Sequence, residues 1–388
     1  MTNLRETPAA PRLETDRETF LQAATTIGRA LVESARWTGC LCAWPDAHTP
    51  DLYGGSSGVA LFLGELYRLT GDGAFRRTAL GAVRHALTSA GTVAPHRRAG
   101  LFTGWCGIAV VAGRLGILLS DGAVAEQAGP LLRSGAAEAG GSDLLAGRAG
   151  SVIALLLGAR LLGQPDLVPL AATLGAHLLC TPADAGRPGI AHGASGIALA
   201  LFALHDATGE LHFREAAVRT LAMERRLVAD VTWCQGAAGM ALTRLTGFAL
   251  TGEEACRTEA AALLQRTADA VEANVSRLDA DATLCHGLTG QAEALLSGSR
   301  LLAPQAANLF GTAWEVGRAV AGYFGSLPAP GQVAPGFMQG VAGAGYLLLR
   351  LHDPRTPSVL RLQPGDWTIP QHHSREDRTR FAIHPGCL

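Results

Sequence analysis

Apolar residues gather along the chain in runs of about ten to fifteen, and each run follows a glycine, two further residues and a second glycine. The frame occurs as Tyr53-Gly-Gly-Ser-Ser-Gly58, Phe102-Thr-Gly-Trp-Cys-Gly107, Asp143-Leu-Leu-Ala-Gly-Arg-Ala-Gly150 and Ile190-Ala-His-Gly-Ala-Ser-Gly196. It returns as Trp233-Cys-Gln-Gly-Ala-Ala-Gly239, Cys285-His-Gly-Leu-Thr-Gly290 and Phe337-Met-Gln-Gly-Val-Ala-Gly343. First glycines at 55, 104, 147, 193, 236, 287 and 340 are spaced by 43 to 53 residues, which makes the chain a seven-fold repeat.

A period of that length holds two helices and two turns, the signature of stacked units sharing a core. The runs after the glycines are apolar nearly all round, as enclosed helices must be. Segments between frames, such as 73–90, 211–228 and 253–275, are more polar and are predicted as outer helices. The first and last repeats are as apolar as the middle ones, whereas an open array needs polar caps. Glycine pairs also let neighbouring backbones crowd together. The predicted fold is therefore all-α, an α/α barrel (toroid) of about seven inner and seven outer helices. A disordered lead is expected over residues 1–19, the barrel over 20–362 with its first amphipathic helix at 20–32, and an irregular tail over 363–388, helicity being interrupted from Asp353 onward by Pro354, Pro357, Pro364 and Pro370.

Composition narrows the chemistry. With 48% apolar residues in 388, the chain can bury a large core. A net charge of −1 suggests no nucleic acid and no anionic membrane surface as partner. All 32 basic residues are arginine, and without lysine neither Schiff-base chemistry nor a Walker-type phosphate loop is available. The N-terminus lacks the apolar core of a secretory signal, and no stretch reaches the roughly 18 apolar residues of a membrane span. A cytoplasmic location is expected, where eight cysteines are free thiols or metal ligands rather than disulfides.

In a closed barrel, residues just before each glycine pair share one central opening. The position before the first glycine holds Gly54, Thr103, Ala146, His192, Gln235, His286 and Gln339. The position before that holds Tyr53, Phe102, Leu145, Ala191, Cys234, Cys285 and Met338. Adjacent repeats thus bring Cys234 beside Cys285 and His286. Two thiolates and one imidazole are a Zn2+ set with its fourth tetrahedral position open, the catalytic pattern. Helix N-termini further favour thiolate. With two thiolates already bound, zinc is a poor Lewis acid for water, while a third, substrate-derived thiolate stays nucleophilic, which favours thiol chemistry over hydrolysis. His192 shares the register of His286 and could exchange protons, and Asp143 could reach in from the third repeat. Alone, Cys-His is incidental, His192 reads equally as a satisfied core histidine, and Asp143 as a helix cap. Cys106 is out of register and reads as packing, as do Trp105 and Trp233.

These residues resemble the lanthionine synthetase cyclase (LanC-like) family. The resemblance covers roughly residues 50 to 362 and is carried by Trp233-Cys234 before its glycine frame, Cys285-His286-Gly287 and Ala191-His192-Gly193. The stretches Leu52–Leu63, Phe337–Tyr346 and Pro357–Leu360 look closest to the cyclase half of class II lanthipeptide synthetases, here without room for the large dehydratase half. The resemblance implies a toroid holding zinc through Cys234, Cys285 and His286. It implies addition of a precursor-peptide cysteine to dehydroalanine or dehydrobutyrine, with His192 and Asp143 managing protons. The implied partners are a dehydrated precursor peptide and a separate dehydratase. Gln235 departs from the tyrosine or histidine often found there, which bears on the shape of the site. Alternatives are addition of a small thiol such as glutathione to dehydroamino acids, or a non-catalytic zinc- or peptide-binding partner. A toroidal glycosidase would need two central carboxylates, and only Asp143 lies near the openings.

Overall fold

The computed structural model describes residues 10–47, 49–180, 188–224, 230–277, 281–302, 305–325 and 334–369. Fourteen helices follow one another among them. The first seven are α1 (Ala10–Ser34), α2 (Ser56–Thr70), α3 (Gly73–Thr88), α4 (Trp105–Leu118), α5 (Gly122–Ala137), α6 (Arg148–Leu161) and α7 (Leu167–Cys180). The rest are α8 (Ala194–Thr208), α9 (Leu211–Glu224), α10 (Ala237–Thr251), α11 (Glu254–Asn274), α12 (Leu288–Ser299), α13 (Ala306–Phe324) and α14 (Val341–His352). Even-numbered helices form an inner ring and odd-numbered helices an outer one. Each inner helix packs on the next, and α14 returns to α2, so the array is a closed α/α toroid. None of these helices is long and apolar enough to cross a membrane.

Backbone hydrogen bonds close the ring at the N-terminal mouth of the inner helices. The N–H of Tyr53 donates to the Phe102 carbonyl (2.9 Å), Phe102 to Leu145 (3.2 Å), Leu145 to Ala191 (3.2 Å) and Ala191 to Cys234 (3.0 Å). Cys234 then donates to Cys285 (3.4 Å), Cys285 to Met338 (2.9 Å), and Met338 back to Tyr53 (2.7 Å). All seven bonds run in one direction and join the residues two positions before each first glycine. Buried polar backbone that could not pair within a helix is thereby satisfied.

The frames are glycine for want of space. Each first glycine caps its inner helix in an extended conformation, with φ between −93° and −144°, which any residue could adopt. Space is the constraint: a Cβ on the second glycine would lie 1.8 Å from the Leu101 carbonyl at Gly107, 1.9 Å from the Trp233 carbonyl at Gly239 and 2.0 Å from the Phe337 carbonyl at Gly343. The residues carrying those carbonyls (Leu101, Trp233 and Phe337), with Leu52, Leu144, Ile190 and Leu284, are nearly inaccessible and interlock around the axis.

The opposite end is sealed by ion pairs and by the segment after α14. Glu65 pairs with Arg114 (2.5 Å) and Arg68 (2.7 Å), Arg68 with Asp353 (2.8 Å), and Glu293 with Arg350 (2.6 Å). Arg350 also donates to the Thr356 carbonyl, Ser358 to Glu293 and Arg114 to the Trp367 carbonyl.

The ordered chain differs from expectation at both ends. Helix α1 begins at Ala10, not at residue 20, because Leu13 packs on the core and Asp16 accepts from Trp314 Nε1 (2.8 Å) and Arg318 Nε (3.1 Å). Those contacts lie about 300 residues away and leave no local pattern. A short antiparallel hairpin, β1 (Arg36–Thr38) and β2 (Leu41–Ala43), was not expected. In the segment assigned to an irregular tail, residues 364–367 form a 3-10 turn that buries Trp367. Residues 1–9 and 370–388 of the expected lead and tail lie outside the described residues.

Gly107→Ala should lower unfolding free energy by about 3 kcal/mol, since the Cβ forces a backbone carbonyl aside. Gly122→Ala, where nothing lies within 4 Å, should be neutral or slightly stabilising. Denaturant unfolding of the two variants makes the comparison.

Candidate metal centre

Four of the seven frames approach their helices through a tight turn fastened by the side chain four residues before the first glycine. The Asp51 carboxylate accepts from Gly54 N (2.9 Å) and Asp143 from Ala146 N (2.8 Å). Thr232 and Thr283 Oγ1 accept at 3.4 Å from Gln235 N and His286 N. With the next residue but one pinned by the backbone ring, the side chain just before the glycine points outward at the mouth. His192 is half-buried there, and Gln235, His286 and Gln339 are exposed.

The expected ligands converge. One donor atom each from Cys234, Cys285 and His286 lies within 4.8 Å of the others, with Cys285 Sγ 3.8 Å from His286 Nε2. Both cysteines are buried and the histidine is exposed. Asp230 and Asp281 hold the approaching turns, accepting from the N–H groups of Thr232 and Thr283 (each 2.9 Å). Zinc with sulfur bonds of about 2.3 Å places tetrahedral sulfurs roughly 3.8 Å apart, so this triangle fits the ion with little movement. No further His, Cys, Asp or Glu joins the cluster among the described residues.

Electrostatics favour a cation. A hydrogen bond from Cys285, opposed by burial and aided by Thr232 and His286, lowers the Cys234 thiol to about 6. The same bond, with burial, raises Cys285, and only the Tyr53 hydroxyl pulls it back. Ionising both sulfurs is opposed by their mutual repulsion, which a cation between them would remove.

His192 Nδ1 lies 3.6 Å from Asp143 Oδ1, and both are partly exposed. Burial acts to raise the Asp143 carboxyl, but the adjacent His192 imidazole and the N–H groups of Ala146 and Leu145 outweigh it and hold the group below its ordinary value. Asp143 is thus a turn cap and a histidine partner at once. The bond from Ala191 N to the Cys234 carbonyl joins the His192 frame to the ligand frame.

Sequence reasoning missed three residues that shape the site. Tyr53 donates its hydroxyl to Cys285 Sγ at 3.0 Å. Glu224, on outer helix α9 and 1% exposed, accepts from Gly189 N (2.8 Å), from Ser195 N (3.3 Å) and from the Ser195 hydroxyl, clamping the loop that carries His192. Arg244 neutralises it from α10 at 3.3 Å. A buried acid on an outer helix was the available signal for Glu224. Of the packing residues, Cys106 is fully buried, Trp233 stacks edge-on against Phe102, and Trp105 donates to the Ala90 carbonyl beneath the Arg98 guanidinium.

Residues 46–362 match the family described as lanthionine synthetase C-like protein. Among solved structures, nisin cyclase aligns with a TM-score of 0.64 at 15% identity, covering 83% of this chain and 93% of that one. The GH76A α-1,6-mannanase of Salegentibacter sp. HEL1_6 aligns with a TM-score of 0.45 at 13% identity, over 78% of this chain and 99% of that one. The unsaturated glucuronyl hydrolase of Bacillus sp. GL1 gives 0.44 at 12% identity, over 87% and 97%. No curated protein sequence matches the chain.

The double role of Asp143 separates in two substitutions. Asp143→Ala should cost about 1 kcal/mol of stability through the lost cap, whereas Asp143→Asn should retain most of it, since an amide oxygen still accepts from Ala146 N. Thermal unfolding of both variants tests this.

Proposed function

Because the chain belongs to the lanthionine synthetase C-like family, we propose that it is a zinc-dependent cyclase that joins a cysteine of a dehydrated precursor peptide to dehydroalanine or dehydrobutyrine, forming a thioether ring. The observation that carries this reading is the convergence of Cys234, Cys285 and His286 at the barrel mouth with no fourth protein ligand among the described residues. Held by Cys234, Cys285 and His286, zinc would supply the positive charge that favours a peptide thiolate over its thiol without quenching its nucleophilicity.

The chain's own residues do the rest. In the addition, sulfur bonds to the β-carbon, the π electrons move toward the carbonyl, and the α-carbon gains a proton. His192, steadied by Asp143 at 3.6 Å and held by the Glu224 clamp, exchanges that proton with the substrate. The exposed side chains of Gln235, His286 and Gln339 line the approach for the peptide. A separate dehydratase supplies the dehydrated substrate. Cys40, Cys42, Cys106, Cys234 and Cys285 form no disulfide, which agrees with work in the reducing cytoplasm. The catalytic unit is assigned to the barrel, residues 20–362, together with the start of α1.

Purified protein should carry one zinc and, given a dehydrated Cys-containing peptide, should abolish its alkylatable thiol with no change of mass. Cys285→Ala should lose both zinc and ring formation. His192→Ala should keep zinc and slow cyclisation by about 10²- to 10⁴-fold. Absence of zinc, or intact cyclisation by Cys285→Ala, would sink the proposal. A peptide that gains the mass of glutathione instead would favour the small-thiol reaction.

A further inference from the structure

The ring of residues two before each glycine is apolar wherever it only packs: Phe102, Leu145, Ala191 and Met338 fill it without a polar atom. Tyr53 occupies the same position in the first repeat, so packing alone does not call for a hydroxyl there. That hydroxyl reaches past the seventh repeat and donates to Cys285 Sγ at 3.0 Å. A phenol has one hydrogen to give, and here it points at the sulfur. Its backbone is fixed on both sides, donating to the Phe102 carbonyl and accepting from Met338 N, so the phenol approaches from one direction.

We infer that Tyr53 is a positioning residue of the metal centre, an outer-sphere donor that fixes the Cys285 sulfur and draws charge from it when a cation is bound. The inference rests on the metal reading above. Outer-sphere donors orient a ligand and tune its electron donation, and their loss weakens metal binding by about 10- to 100-fold. A sulfur relieved of its hydrogen bond is also a better electron donor, so a bound cobalt ion should report the change as a shift of the sulfur-to-cobalt band to lower energy.

The test uses full-length protein and two substitutions, Tyr53→Phe and Tyr53→Met. Each installs a side chain the chain already carries at an equivalent position, at Phe102 and Met338, so the ring accommodates both. Zinc affinity is measured by chelator competition, and the cobalt-substituted protein by absorption. Both variants should bind zinc at least about tenfold more weakly than the parent and shift the cobalt band to longer wavelength. Zinc affinity within twofold of the parent, with an unmoved band in either variant, overturns the role of Tyr53 and leaves the metal site standing. A parent protein that binds neither zinc nor cobalt overturns the inference and the metal reading together.

Discussion

Seven backbone hydrogen bonds, from Tyr53 through Phe102, Leu145, Ala191, Cys234, Cys285 and Met338 back to Tyr53, are the constraint on which the molecule depends. A ring of helices has no sheet to register its units, so the height of each against the next must be set at the loops. Here one peptide per repeat is fixed to its neighbour at 2.7 to 3.4 Å, which places every frame at the same level around the axis. The glycines follow from that choice, because neighbouring backbones approach closely enough to exclude a Cβ. A net worth of about 1 kcal/mol per bond is modest, but Phe102, Ala191, Cys234, Cys285 and Met338 are buried, and leaving a bond among them unmade would cost more than the bond contributes.

Chemistry then arises from departures from this symmetry. The ring two residues before each first glycine carries thiols only in the fifth and sixth repeats, at Cys234 and Cys285, and the next position carries imidazole only in the fourth and sixth, at His192 and His286. Adjacent units in fixed register need no special loop to bring Cys234 to Cys285, since the backbone bond between those two residues does so. His192 sits one unit further on at the same level, next to the ligand frame and outside the ligand set. The barrel thus brings two thiols and two imidazoles to one mouth from successive copies of one element.

Much of this was legible in the sequence because repetition converts spacing into geometry. The frames at Gly55 to Gly340 announced the closed barrel, and comparing like positions singled out Cys234, Cys285, His286 and His192. The residues that escaped act across the repeats rather than within them. Tyr53 looked like another apolar filler, since only its distance from Cys285 distinguishes it from Phe102. Glu224 lies on an outer helix and reaches Gly189 and Ser195 from outside the frame. The early start of α1 depended on Trp314 and Arg318, residues the local pattern around Asp16 could not reveal.

The sealed end explains why chemistry belongs at the other. Burying Glu65, Arg114, Glu293 and Arg350 carries a desolvation cost of several kcal/mol per ion, and ion pairs seldom recover more than that. Apolar side chains of similar volume would close the barrel as well, so these charges are better understood through what they fasten. Arg114 holds the Trp367 carbonyl, Arg350 the Thr356 carbonyl, and Arg68 both Asp353 and Thr356, all in the chain that follows α14. Directional bonds tie an irregular segment across the C-terminal ends of the inner helices in one conformation, where greasy contacts alone would let it slide. With that end fastened shut, Cys234, Cys285, His286 and His192 gather at the glycine-framed mouth. The positive ends of the inner-helix dipoles point to this mouth, the polarity that favours a thiolate over a thiol there.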